Sequence, residues 1–439
     1  MTPTRTGAPA EPVDHAFRTI AERNPALNAV VHPAEPRGAE PGAKGPLAGV
    51  PFTVKSVLAS RDLPSTCGSR SLAGHRAGRD ATAVERLRST GAVLVGMTNC
   101  AEFALGVDTI NDLHGRTRNP LGPWVAGGSS GGDAAAVAAG MARIGLGTDY
   151  GGSIRWPAQC TGVVGIRPTV GRVSRAGMWP DVFPAPRTWG GPPSLYEAAH
   201  VLGLLARRVS DLATALRVIA GPDPLDASVV GRALGDHLDV EIRDVEVSAV
   251  VPRGADEPTM AGLREAVGAL TRLGLRVGVR SDEDVEEAAD LFDRLRASEP
   301  MTEVARLVED LPADVGEPVR RALAGIAPVD PAVRADWWRR RDELRAEVGS
   351  WLTGERLLLL PVSNRPPWDP DRETHGMEIL RPSRAISLLG LPAVSVPVGR
   401  TSAGQPLSVQ VVAPAFREDV ALAVGAALHE ALLVGGDFG

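Results

Sequence analysis

Short apolar runs that read as buried strands alternate along this chain with segments of helical periodicity. The strand candidates are 47–58, Ala92–Gly96, Ala142–Leu146, Leu357–Val362, Ala393–Val398 and Leu407–Val412. Between and around them, helices are expected at 15–31 with an interruption near Pro25, at Ala81–Ser89, Ala134–Ala139 and 209–220, and in a closing segment at 417–433. Such alternation constrains the fold to class α/β, an α/β sandwich around a sheet with parallel pairs. The stretch from about 226 to 354 differs: it is acidic and arginine-rich, with helical periodicity in 260–273, 283–297, 302–310 and 331–352. No fixed-period repeat or low-complexity linker divides the chain. Residues 1–439 are therefore expected to form one domain, with 226–354 a helical insertion or cap.

Bulk properties exclude several partners. The net charge of −6 comes with no long basic run, which gives no reason to expect nucleic acid or an anionic membrane. No run approaches the roughly 18 apolar residues of a membrane span. Met1–Pro12 lacks an apolar signal region, so no secretory leader is expected. Cys67, Cys100 and Cys160 are far apart without metal-ligand spacing and read as reduced thiols of a cytoplasmic protein.

The basic residues are unevenly divided. Of 47, two are lysines, Lys44 and Lys55, and the rest are arginines. Where the chain needs only a positive charge it uses arginine; a lysine that persists is a candidate for a role arginine cannot fill. Arginine does not lose its proton in a protein, whereas a desolvated lysine becomes a neutral base. Lys44 lies in a Gly/Pro loop and reads as a solvated charge. Lys55 ends the apolar run Val50–Val54, where a charge is costly to bury.

Two glycine-rich segments carry serines. Gly127-Gly128-Ser129-Ser130-Gly131-Gly132 runs straight into Asp133 and the alanine helix. A flexible linker is the alternative reading, but a linker does not enter an apolar helix with so little polar spacer. A phosphate loop is a third, and it lacks the Gly-Lys-Ser/Thr ending. In Gly145–Arg155 an apolar strand leads into Tyr150-Gly151-Gly152-Ser153. Consecutive N–H groups there are candidates for an oxyanion hole. Asp149 and Arg155 read as an ion pair fixing that loop. None of the eight histidines lies in a nucleophile-elbow, HExxH or metal context. A neutral lysine can serve as base instead, with a second serine bridging it to the nucleophile.

Gly49–Lys55, Gly127–Gly132 and Gly147–Arg155, in that order, resemble the amidase signature family. The spacings of 74 residues from Lys55 to Ser129 and 24 from Ser129 to Ser153 are similar to that family's. Further matches are Thr98–Phe103, Asn119-Pro120, Gly162–Thr169, Gly390–Ala393 and Pro406–Ala413. The likeness is strong over 15–225 and moderate over 355–435. It implies an α/β/α sandwich around a large mixed β-sheet and an amide-cleaving serine enzyme. Ser153 is then the nucleophile, Ser129 the bridging serine after a cis peptide and Lys55 the base; the N–H groups of Tyr150, Gly151 and Gly152, read above from their run in the chain, remain the oxyanion-hole candidates. No cofactor or metal is implied. Ser130 is read as structural or as a helix cap. Arg167 stands where the family commonly has Lys, Asp133 where it often has a small residue, and Leu204 where Pro is frequent.

The expected substrate is a small-molecule amide. Trp179, Phe183, Trp189 and Tyr196 crowd into eighteen residues of a chain poor in aromatics. They are either a core patch or the wall of a pocket for an apolar acyl group. The segment after Arg175 departs from the tRNA-amidotransferase branch. An acyltransferase or amidotransferase subunit using the same acyl-enzyme is the alternative function, and a silent binding protein a more distant one. The sequence does not fix the oligomeric state; a homodimer is common for enzymes of the family it resembles.

Overall fold

The computed structural model describes residues 13–36, 44–179, 194–299, 301–310 and 314–435. Eleven strands form one large sheet: β1 (Val30–Pro33), β2 (Pro51–Lys55), β3 (Val93–Thr98), β4 (Ile144–Asp149), β5 (Val164–Arg167), β6 (Val201–Ala206), β7 (Glu246–Val250), β8 (Arg276–Arg280), β9 (Arg356–Pro361), β10 (Ala393–Arg400) and β11 (Pro406–Val412). Their spatial order is β1-β3-β2-β4-β6-β5-β10-β11-β9-β7-β8. Parallel pairs at β3-β2-β4 and β9-β7-β8 flank an antiparallel centre, so the sheet is mixed. This matches the α/β expectation.

The helices are α1 (Val13–Leu27), α2 (Thr82–Ser89), α3 (Gly131–Ala138), α4 (Arg155–Thr161), α5 (Leu195–Ala199), α6 (Val209–Ile219), α7 (Glu257–Arg272), α8 (Glu283–Ala297), α9 (Thr302–Asp310), α10 (Glu317–Ala324), α11 (Pro331–Trp351), α12 (Arg381–Leu389) and α13 (Glu418–Gly435). Side chains alternate across each strand, so every strand feeds two layers. Phe52 and Val54 join the cluster built with α2, α6, α7 and α13. Thr53 and Lys55 point the other way, toward α3. Strands β2, β3, β4 and β6 are buried along their whole length, which is why β2, β3 and β4 read as apolar runs; β6 is not among the strands expected from the sequence.

The middle region departs from the expectation of a helical insertion. Its helices lie where the periodicity placed them, but the same stretch adds β7 and β8 to the main sheet. β8 is the edge strand, with Val279 84% exposed, so no apolar run marked it. Helix α8 also packs on α12, bringing Phe292 against Gly151 in the loop that follows β4.

Candidate active site

Lys55 ends β2 fully buried, in register with Thr98 of β3. Its Nζ donates to Ser129 Oγ at 2.7 Å and to Thr148 Oγ1, on β4, at 2.9 Å. Burial pushes its ammonium down to about 8, against the opposing pull of Cys100, Asp133 and Asp149. Lys44, by contrast, is exposed. The two lysines occupy the two environments that the composition argument assigned them.

Ser129 sits in a buried loop, not a linker. The Gly128–Ser129 peptide is cis. A Cβ on Gly128 would lie 2.6 Å from Gly106 O, and one on Gly132 2.3 Å from Asn99 O, so neighbouring chain leaves no room for side chains there. Ser130 Oγ donates to Thr148 O at 3.2 Å and ties this loop to the end of β4. It occupies the N-cap position of α3 without making a capping bond, so its contact is the structural one.

The Tyr150–Ser153 loop is built around Asp149. Arg155 grips that carboxylate with both Nε (3.0 Å, to Oδ2) and Nη2 (2.9 Å, to Oδ1), and Arg167 Nη1 adds contacts to Asp149 O at 2.8 Å and Oδ1 at 3.3 Å. Burial opposes ionisation of Asp149, yet the two guanidiniums outweigh it and hold the carboxyl below the usual range. Arg155 also donates to Gln410 Oε1 (2.7 Å) on β11 and to Ser387 Oγ (2.8 Å) on α12. The expected ion pair is thus the hub of the loop.

One of the expected oxyanion donors is already engaged. Gly152 N–H donates to Asp149 Oδ1 at 2.8 Å, and Ile154 N–H to Oδ2 at 3.2 Å. Gly152 serves instead through its φ of +122°, which lets the chain double back to Asp149. Among the described residues the N–H groups of Tyr150, Gly151 and Ser153 donate to no protein acceptor. A Cβ on Gly151 would lie 3.2 Å from both the Phe292 and the Arg384 side chains, so any side chain there would press on both beside these donors. Ser153 is 8% exposed, whereas Ser129 and Lys55 are fully covered. Of the three, Ser153 is the one in contact with solvent. No hydrogen bond among the described residues joins Ser129 Oγ to Ser153 Oγ.

Of the four aromatic candidates, Trp179 and Tyr196 come together: Tyr196 OH donates to Trp179 O at 2.6 Å. Phe183 and Trp189 lie outside the described residues. Tyr196 packs edge-on to His200 and lies 6.0 Å, ring to ring, from Tyr150, which lies 5.1 Å from Phe292. No residue pattern pointed to Phe292, which reaches the cluster from α8, or to His200, just past the end of α5 and four residues from Tyr196. A separate cleft of about 600 Å³ lies between α8 and α11, lined by charged residues such as Glu287, Asp290 and Arg340, and includes none of the serines. Cys67, Cys100 and Cys160 are all free and buried. Among the described residues no group of three His, Cys, Asp or Glu could hold a metal, and no helix is long and apolar enough to cross a membrane.

The sequence matches the Amidase family over residues 32–422. The chain belongs to the amidase signature family. Its fold and the order of its three motifs are those the family resemblance implied, and the chain is thus an enzyme of amide C–N bonds. This amidase-family chain is 34% identical over 426 residues to a glutamyl-tRNA(Gln) amidotransferase subunit of Natronomonas pharaonis, covering 89% of this chain and 97% of that one. It is 32% identical to the protein of the same name from Roseiflexus sp., over 95% of this chain and 89% of the relative. Among solved structures it superposes on 6-aminohexanoate cyclic dimer hydrolase complexed with substrate, with a TM-score of 0.80 and 28% identity, covering 96% of this chain and 93% of that one.

Proposed function

We propose that the protein is an amidohydrolase that cleaves a small-molecule amide through an acyl-serine intermediate at Ser153. The observation that carries this reading is the buried Lys55 Nζ–Ser129 Oγ hydrogen bond of 2.7 Å, with Ser153 the one of the three residues that reaches solvent. A lysine pushed down to about 8 supplies a neutral base near physiological pH. In the proposed cycle Ser129 hands the Ser153 proton to Lys55 as Ser153 Oγ attacks the carbonyl. The N–H groups of Tyr150, Gly151 and Ser153 receive the oxyanion, each worth roughly 3 kcal/mol. The C–N bond then breaks as the proton returns through Ser129 to the leaving amine. Water enters by the same route and releases the acid. The Tyr150, Tyr196 and Phe292 rings form an apolar wall suited to an aliphatic or aromatic acyl group.

The curated relatives favour a second reading, an amidotransferase subunit that passes an amide nitrogen or acyl group to an acceptor. One experiment addresses both. Fluorophosphonate labelling of the wild type is expected, and is expected to vanish in Ser153→Ala and to fall sharply in Lys55→Arg. Undiminished labelling of Ser153→Ala would overturn the nucleophile assignment. Product analysis on a panel of amides, with and without hydroxylamine or ammonia, then separates the readings. Free acid as the main product supports hydrolysis. Turnover of glutamine that depends on added partner subunits supports the amidotransferase.

A further inference from the structure

We infer that Asp133 is a positioning residue for Lys55, supplying the one buried carboxylate near it that no cation neutralises and so setting the pH at which the lysine becomes a base. The inference rests on Lys55 acting as proposed above.

Asp133 lies in the first turn of α3, four residues after Ser129, and is fully buried. Its Oδ1 accepts a hydrogen bond from Thr53 Oγ1 at 3.0 Å. Thr53 is two residues before Lys55 on β2, so both side chains leave the same face of the strand and enter the same space under α3. Asp133 Oδ2 has no hydrogen-bond partner among the described residues, and neither has Thr98 Oγ1, from the residue paired in register with Lys55. No arginine or other cation forms an ion pair with Asp133 among the described residues. A buried carboxylate left this way is costly, and it needs a compensating interaction.

The other titratable groups around Lys55 do not take this role. Asp149 lies on neighbouring β4, but Arg155 and Arg167 already neutralise it. Cys100 and Cys67, on the loops beyond β3 and β2, are kept as neutral thiols by burial, Cys100 at about 11 and Cys67 well above its ordinary value. Burial, then Lys55 itself, holds His200 neutral, well below its ordinary value. That leaves Asp133. Burial drives its own carboxyl up to about 7, with Thr98, Thr53 and Lys55 pulling the other way. Lys55 and Asp133 therefore titrate as a linked pair in the neutral range. When Lys55 takes the Ser153 proton it becomes an ammonium in a dry site, and the Asp133 carboxylate offsets that charge.

The sign follows. Removing the Asp133 charge takes away one of the groups that oppose burial, so Lys55 loses its proton at lower pH and is a weaker base once neutral. The rate of fluorophosphonate labelling should be followed from pH 5 to 10 for wild type, Asp133→Asn, Asp133→Glu and Thr53→Val, each checked for fold by circular dichroism. In Asp133→Asn the acid limb moves down by roughly one pH unit and the alkaline plateau falls. Asp133→Glu, which keeps the charge, returns the limb toward the wild-type position. Thr53→Val removes one donor to the carboxylate and moves the limb the same way by less; it carries the test if Asp133→Asn does not fold. A plateau that falls with an unmoved limb in the folded variants, or a limb that moves up, overturns the inference. A wild type that does not label overturns the proposed function instead, so the two failures are distinct.

Discussion

Two buried carboxylate pockets flank Lys55, and they are opposites. On the β4 side, Asp149 is held by two guanidiniums and two backbone N–H groups, and its carboxyl lies below the usual range. On the α3 side, Asp133 has a single hydroxyl donor and an unpartnered oxygen, and burial raises its carboxyl to about 7. Both are fully covered, and each stands four residues from a serine of the proposed triad. Burial alone thus predicts nothing about charge; the donors present decide. The paired pocket gives the Tyr150–Ser153 loop its shape. The unpaired pocket leaves a charge whose natural partner is the lysine.

Four substitutions sharpen this contrast, in falling order of effect. Lys55→Met removes the cation between the pockets, and kcat/KM on whichever amide is turned over falls by about 10⁴-fold or more. Arg155→Leu strips the paired pocket and leaves Asp149 buried with one guanidinium. Chemical denaturation should show a loss of roughly 3–5 kcal/mol, with activity lost even in molecules that remain folded. Asp133→Asn has the opposite effect on stability. A carboxyl raised in the folded state stabilises fully below the unfolded value near 4 and loses that contribution as pH rises through about 7. The variant should therefore gain on the wild type between pH 4 and 8, by roughly 1 kcal/mol or more, read as a pH-dependent difference in Tm. Arg339→Ala is the surface control. Its pairs with Asp336 and Glu343 lie on the exposed face of α11, and such pairs contribute about 0–1 kcal/mol. A loss as large as that of Arg155→Leu would break the distinction between buried and exposed charge.

Most of the fold was legible because most strands are buried on both faces and read as apolar runs. The site was legible for a different reason: glycine crowding leaves a mark in sequence, as at Gly128 and Gly132, where a Cβ would meet backbone. What escaped is equally physical. β8 has mostly exposed side chains, and β7 is five residues long, so charge periodicity dominated the 226–354 region. The commitment of Gly152 N–H to Asp149 escaped too, since a hydrogen bond closed within a turn is invisible in residue identities. The near-absence of lysine pointed to Lys55, but nothing in it spoke of Asp133. That residue gains its meaning from the strand face that Thr53 and Lys55 share beneath α3.

The bond from Arg155 to Gln410 spans 255 positions of chain. Closing so long a stretch of chain is entropically costly. The hold on Arg155 in the loop that carries Ser153 is complete only with β11 and α12 in place, although neither holds a residue of the proposed triad. A ribosome-bound chain that has emerged only as far as β6 carries Lys55, Ser129 and Ser153, yet lacks the groups that complete the hold on Arg155. If the proposed triad is right, a chain clipped before β11 is expected to show no fluorophosphonate labelling, although all three of its members are present.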